Sequence, residues 1–530
     1  MSIREEEFVD RPPRTAGATA DAADAAAAVP PAGAGTTAAP LDRRFVLAAL
    51  MLVMVLASME QTITSTAMPT IIGDLHGLEH YAWVTSVYLL TSTISMPLYG
   101  RLADALGRKR VILAAIGLFM LGSVLAASAR SMTQLILFRG LQGLGAGGIM
   151  PVVLTIAADL FTLKERARIQ GFFSAVWGTA ALLGPALGAV LVKSLGWRSV
   201  FYINLPLGAL GVAVLVWKYH DTEEPHPADL DLPGVLGMTV GGVALLALVS
   251  GLGPGGWSWA TAGILAAVSA ISMGLLVRHE RRAAYPILSP QLLGRRDIGP
   301  AMLASLLFGV SFLCLDTYVP LYVQGGRGGG VTAAAGVVTP VIFTWALSGV
   351  VAAPLLVRWG FRKTALAGTT LMLGGYCGLV ACAVFDAPHW LLTAVLAVTG
   401  FGFGPTSMSA LLSAQEAVGF QQRGLVTGAV TFFRSIGGAL GVGLLGAMFN
   451  TVSDAELERL AGPAMRDKLL DPHAVGGLPA EVVAAAQGVI ARSLTWVFVA
   501  MAAVAAAQLV VTFWMPRKQA ERGGATTPVT

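Results

Sequence analysis

Four ionisable residues stand inside long apolar runs: Glu60, Arg139, Asp316 and Arg434. At the centre of a membrane helix each would cost about 2.5–3.5 kcal/mol on insertion scales, so a functional reason is the default expectation. Burial in low dielectric tunes carboxyl groups into the range where they exchange protons near neutrality. At least one of Glu60 and Asp316 is therefore expected to carry protons, Glu60 being the stronger candidate. The alternative is an acid kept permanently neutral by hydrogen bonds within a helix bundle. Arg139 opens the run Arg139-Gly-Leu-Gln142-Gly143, which puts Gln142 on the same helical face. A guanidinium approaching or leaving a carboxylate would drive proton release or uptake, whereas a purely structural Arg139 would bond a backbone carbonyl. Arg434 lies one turn before the small-residue patch Gly437-Gly438-Ala-Leu-Gly441 and reads as structural. Gly184-Pro185-x-x-Gly188 makes a small face with a built-in kink, suited to a moving interface or to simple close packing.

Other chemistries lack their residues. None of the seven lysines follows a glycine, so no phosphate-cradling loop of an ATP-driven pump is present. The seven histidines lie in loops or at the edges of apolar runs, which gives no intramembrane metal site. No nucleophile triad or paired carboxylates appear in a polar segment. The expectation is a protein that is not an enzyme, has no cofactor and no metal, and draws energy from an ion gradient, the membrane potential or the substrate gradient.

The elements that must position these residues are helices spanning a bilayer. The chain has 530 residues, 55% hydrophobic and only 12% charged, about half the charge of soluble domains. Fourteen spans of about 20 residues would absorb the apolar residues. They are expected at about 45–67, 82–101, 111–129, 133–157, 170–193, 199–217, 233–252, 259–278, 299–323, 335–357, 364–384, 389–414, 424–449 and 491–514. Cys314, Cys377 and Cys382 fall inside these runs and imply no disulfide framework. Residues 1–43, rich in Ala, Gly, Thr and Pro after a charged start, read as a disordered tail that is not a cleaved signal. With the N-terminus inside, 25 of the 35 Lys and Arg fall on the inner side and eight on the outer. The positive-inside rule then places both termini in the cytoplasm, and it assigns the net charge of +5 to topology rather than to nucleic acid.

An offset of 253 residues relates Gly107 to Gly360, Gly171 to Gly424, and Gly184-Pro-Ala-Leu-Gly188 to Gly437-Gly-Ala-Leu-Gly441. A duplicated six-helix unit follows, with two helices inserted between the copies. The expected division is a tail at 1–43, a six-helix bundle at 44–218, a linker with two inserted helices at 219–296, a second bundle at 297–516 with an outer loop at 450–490, and a tail at 517–530. Helices 4 and 12 also share Gly-x-Gly-x-Gly, at 143–147 and 400–404.

Several stretches together resemble the major facilitator superfamily, and within it the fourteen-helix drug:proton antiporters. Gly100-Arg-Leu-Ala-Asp104-Ala-Leu-Gly107-Arg108-Lys109 resembles the signature of its loop 2–3. Met59-Glu60-Gln-Thr62 through Pro69 is similar to its helix 1 pattern, Arg139 to Gly143 to its helix 4 motif, and Gly184-Pro185-x-x-Gly188 to its helix 5 antiporter motif. Trp197-Arg198-Ser-Val-Phe201-Tyr-Ile-Asn204-Leu-Pro206 resembles the stretch entering helix 6. Glu60 stands where the family has Asp, and Ala180 and Ala189 where the antiporter motif has glycines.

The resemblance implies two pseudo-symmetric six-helix bundles plus two inserted helices, working by alternating access. It implies a cavity lined by helices 1, 4, 9 and 12, here with Glu60, Thr64, Arg139, Gln142 and Asp316. It also implies proton coupling at Glu60, a cytoplasmic latch at Gly100, Asp104, Gly107, Arg108 and Lys109, and export rather than uptake, while Arg139 and Asp316 enter the proton-coupling set from their place in the apolar runs, Asp316 matching no motif of the family. The expected function is proton-coupled export of amphipathic organic compounds or drugs, cationic ones among them, from the plasma membrane by a monomer, with Asp316 a candidate partner for a cationic group. Its partners are then a small-molecule substrate, protons and the lipid bilayer. A dedicated exporter of one metabolite, lipid or siderophore is the alternative on the same fold.

Overall fold

In hydrocarbon every backbone polar group must be bonded inside its own segment, so the long apolar runs close into helices. The computed structural model describes residues 40–76, 81–221, 231–252, 256–283, 286–461 and 480–517, which are helical with short connections. In chain order the helices are α1 (Pro40–Leu75), α2 (Tyr81–Leu106), α3 (Arg108–Ser128), α4 (Met132–Leu160), α5 (Leu163–Leu195) and α6 (Asn204–Lys218). Next come α7 (Leu232–Ser250), α8 (Trp259–Glu280) and α9 (Gly299–Leu321). The segment Val331–Val384 is broken by Gly360, at φ 81°, into α10 (331–359) and α11 (361–384). The chain ends with α12 (His389–Glu416), α13 (Arg423–Ala461) and α14 (Ala480–Thr512).

Among the described residues eleven helical segments are long and apolar enough to cross a membrane, one of them the segment of 53 residues that holds both α10 and α11. Counting α5, bent by 42° between Ala180 and Leu183, brings the total to twelve. The bend falls where Pro185 takes a hydrogen-bond donor from the helix ladder. The expected tail at 1–43 lies outside the described residues up to position 39, and α1 begins at Pro40. Much of the expected outer loop is helix, because α13 runs on to Ala461 and α14 starts at Ala480. Asp-Ala-Glu-Leu-Glu and Glu-Val-Val-Ala-Ala-Ala are good helix formers and extend the flanking spans. Residues 462–479 lie outside the described residues.

The two halves repeat the same local devices. Gly107 and Gly360 both take a positive φ, 93° and 81°, where a side chain would strain the turn. In α4, Gly143 and Gly147 pack against Tyr88, Thr91, Ser92 and Ser95 of α2, while Gly145 packs on Phe119 of α3. In α12, Gly400 and Gly404 meet Val341, Thr344 and Ser348 of α10, while Gly402 meets Met372 of α11. Each Gly-x-Gly-x-Gly thus lets one central helix touch two neighbours at backbone distance. Across the halves, α2 crosses α13 at Gly100 and Gly424, and α5 crosses α10 at Gly171 and Gly349. The α7–α8 pair closes on itself through Ser269, which donates to the Gly241 carbonyl at 3.1 Å, and rests on both halves through Gly242 against Ile94 and Val249 against Gly443.

Candidate transport site

Glu60 and Arg139 form an ion pair inside the first half, with side chains 0% and 1% exposed. Arg139 Nη1 donates to Glu60 Oε1 and to Gln142 Oε1, the latter at 2.7 Å. Thr64, one turn on from Glu60, donates to the same Glu60 oxygen at 2.7 Å. The network continues as Gln142 Nε2 donates to Ser123 Oγ at 2.8 Å and Asn204 Nδ2 donates to that hydroxyl at 3.2 Å. Four helices, α1, α3, α4 and α6, therefore share one chain of hydrogen bonds, its members each 2% exposed or less. Glu60 Oε2 is buried and has no hydrogen-bond partner among the described residues. Ser123 and Asn204 escaped the sequence reading. Ser123 is a lone hydroxyl in an apolar helix, and Asn204 belongs to a motif whose polar member had no visible partner.

A cavity of about 220 Å³ lies between the halves. Its walls come from Met54 and Ala57 of α1, Tyr88 of α2, Phe173 and Trp177 of α5, Phe308 and Phe312 of α9, Trp345 of α10 and Arg434 of α13, with α4 contributing Ile149. Glu60, Thr64, Arg139 and Gln142 are not on this wall, contrary to the expectation that they line it. Their mutual bonding turns them into the interior of the first half. The Tyr88 ring separates the two sites, lining the cavity while the Arg139 guanidinium stacks on it at 4.1 Å.

Nor does Asp316 mirror Glu60. Glu60 is sealed, whereas Asp316 is exposed. It sits on the α9 face that carries Gly309, Phe312 and Leu313, one turn beyond the cavity wall. The opposite α9 face is buried, with Tyr318 donating to Val442 and the Ser311 carbonyl accepting from Tyr376 at 2.8 Å.

At one end of the molecule the halves are latched. Asp104 Oδ1 accepts from the backbone N–H of Gly424 at 3.0 Å and Oδ2 from that of Leu425 at 2.8 Å, so a carboxylate caps the N-terminus of α13. Gly100 makes this approach possible, since a Cβ there would overlap the Gly424 carbonyl oxygen and come within 3.1 Å of Gly428 Cα. Arg108 bonds Asp104 and Asp159, both at 3.0 Å, donates to the Phe420 carbonyl at 2.8 Å and stacks on the Phe420 ring. Arg423 returns to Asp159 at 3.2 Å, and Arg166 pairs with Glu416. Lys109 takes no part in the crossing, because its Nζ donates to the Val216 carbonyl in α6 and its N–H to Asp221 just beyond α6, neither of them in the second half. Gly107 serves the turn. Gly184 and Gly188 also stay within one half, packed on Thr62, Ile63 and Thr66 of α1.

Among the described residues no group of three or more His, Cys, Asp or Glu could hold a metal ion. Two helical halves, a cavity between them and a closure at one end define a membrane transporter, not an enzyme. The chain belongs to the Major Facilitator Superfamily, whose family profile matches residues 50–235 and 230–442. It is 34% identical over 441 residues to the multidrug transporter protein MdtP of Bacillus subtilis, covering 83% of this chain and 79% of that one. It is 30% identical over 478 residues to multidrug resistance protein 3 of the same organism, covering 87% and 93%. Among solved structures, the proton:xylose symporter XylE bound to 6-bromo-6-deoxy-D-glucose aligns with a TM-score of 0.59 at 15% identity, over 89% of this chain and 96% of that one. That likeness shows the fold alone.

Proposed function

We propose that this protein is a proton-coupled exporter of amphipathic organic compounds that works by alternating access in the plasma membrane. The observation that carries the reading is the sealed Glu60–Arg139 pair, with its free carboxylate oxygen, set one aromatic ring behind the cavity. Protonation of Glu60 at Oε2 removes the charge that holds Arg139 and leaves the guanidinium to Gln142 and the Tyr88 ring. Because Tyr88 lines the cavity, the state of the pair alters the wall that a substrate touches. Loss of the proton restores the pair, and the two occupancies are linked in both directions. The latched end carries Arg108, Arg166 and Arg423, and the positive-inside rule assigns it to the cytoplasm. The conformation is then closed to the cytoplasm, and both termini lie on that side.

Drug export is supported by the names of the two Bacillus relatives, at 34% and 30% identity. Fourteen spans are supported by the break at Gly360, which makes two helices of one segment, and by the 26 residues of α2.

Inverted vesicles holding a proton gradient provide the test. Substrate addition is expected to dissipate the gradient with the wild type and with Asp316→Asn, and not with Glu60→Gln. Undiminished concentrative export by Glu60→Gln would overturn the role of the pair.

A further inference from the structure

Arg434 lines the cavity between the halves and is its one charged lining residue. It comes from the middle of α13, where Gly309 of α9 lies against its backbone. It also lines the small adjoining pocket with Gln170, Ser305 and Ser407, at the latched end of the same space. No hydrogen bond or ion pair holds its guanidinium among the described residues. The other intramembrane arginine differs on every count: Arg139 is sealed, paired with Glu60 and bonded to Gln142. A guanidinium carries five donors and stays charged, so one left open in a low-dielectric cavity is satisfied by an acceptor that arrives from outside.

The remaining wall says what else that visitor carries. Phe308, Phe312, Trp345 and Phe403 form a mutual cluster, with Phe312 and Trp345 at 4.9 Å between centroids and Phe308 and Phe403 at 5.4 Å. Three of these rings reach the cavity, and Phe173 and Trp177 face them from the first half. The Trp345 indole N–H is buried without an acceptor among the described residues. Aromatic faces on two sides suit a flat ring system, and unsatisfied donors suit an anionic or strongly accepting group.

We propose that the cavity binds aromatic amphipathic monoanions, such as carboxylates, sulfonates or phenolates, with the anion on Arg434 and the rings between the α5 and α9–α10 aromatics. The inference rests on the export reading for the direction of movement, but not for binding. Asp316 does not reverse it. Seven residues beyond Gly309 on a helix place it about 10 Å along α9, outside the cavity wall.

The test uses the full-length protein in lipid nanodiscs, titrated calorimetrically with 2-naphthoate, its neutral methyl ester and 2-naphthylmethylammonium. Naphthoate is expected to bind tighter than the other two, and Arg434→Gln to weaken it by about tenfold or more, the size of a charge-assisted hydrogen bond. Arg434→Lys should keep part of that preference, and binding of the ester should be the same in all three proteins, which separates lost charge from lost fold. Equal or tighter binding of the ammonium compound, naphthoate affinity that survives Arg434→Gln, or failure of all three probes to bind would overturn the inference. Proton-linked export of ethidium from vesicles without naphthoate binding would sink the inference and leave the export reading standing. Naphthoate binding with no proton-linked movement of any probe would do the reverse.

Discussion

Replacing Gly100 with Ala tests the latch at the point where the halves come closest. A Cβ at this position would overlap the Gly424 carbonyl oxygen and lie 3.0 Å from its carbon and 3.1 Å from Gly428 Cα, all backbone atoms that cannot rotate away. Carbon atoms pack at about 3.5–4.0 Å, so α2 and α13 must part by roughly 0.5–1 Å. The bonds from Asp104 to Gly424 and Leu425, now 3.0 and 2.8 Å, then stretch beyond hydrogen-bonding range. Overpacking of this kind costs about 1–3 kcal/mol. It falls on the closed form alone, because the clash lies between the halves and not within either. At about 1.4 kcal/mol per factor of ten, the closed population drops roughly 5- to 150-fold relative to the open one. Spin labels at Lys164→Cys and Lys363→Cys, exposed residues at the latched end of each half, report this as a longer distance, in a background with exposed Cys377 changed to Ser. Gly117→Ala is the control, since a Cβ there meets nothing within 4 Å. A distance distribution in Gly100→Ala equal to that of wild type and Gly117→Ala would refute the reasoning.

Two further outcomes follow from the buried pair and the latch. Glu60→Gln or Arg139→Gln alone leaves one charge uncompensated in a sealed site, a loss of about 3–5 kcal/mol, whereas the double substitution should cost clearly less than the sum. Thermal unfolding of the four proteins measures this, and strict additivity would show that the two side chains do not interact. Arg108→Ala should lengthen the same spin-label distance because its bond to the Phe420 carbonyl and its stacking on that ring cross to the second half, while Lys109→Ala should leave it unchanged because its bonds end at Val216 and Asp221, neither of them in the second half.

Much of this molecule is written in local sequence, for a physical reason. Hydrocarbon forces any long apolar run into a helix, so the helix order can be read from residue type alone. A turn with φ near 80–90° strongly favours glycine, so the matched turns at Gly107 and Gly360 could be paired by a fixed offset in the sequence. The cost of burying charge likewise singled out Glu60, Arg139, Asp316 and Arg434. Their partners are a different matter, because the Glu60–Arg139 pair joins residues 79 apart in sequence, and no spacing rule reaches that far. Tertiary packing alone decided that Glu60 is sealed with Arg139 while Asp316 stands exposed. It also turned Lys109 into its own half while sending Arg108 across. The same packing left Arg434, which looks structural beside its glycine patch, open to the cavity with no neutralising partner among the described residues.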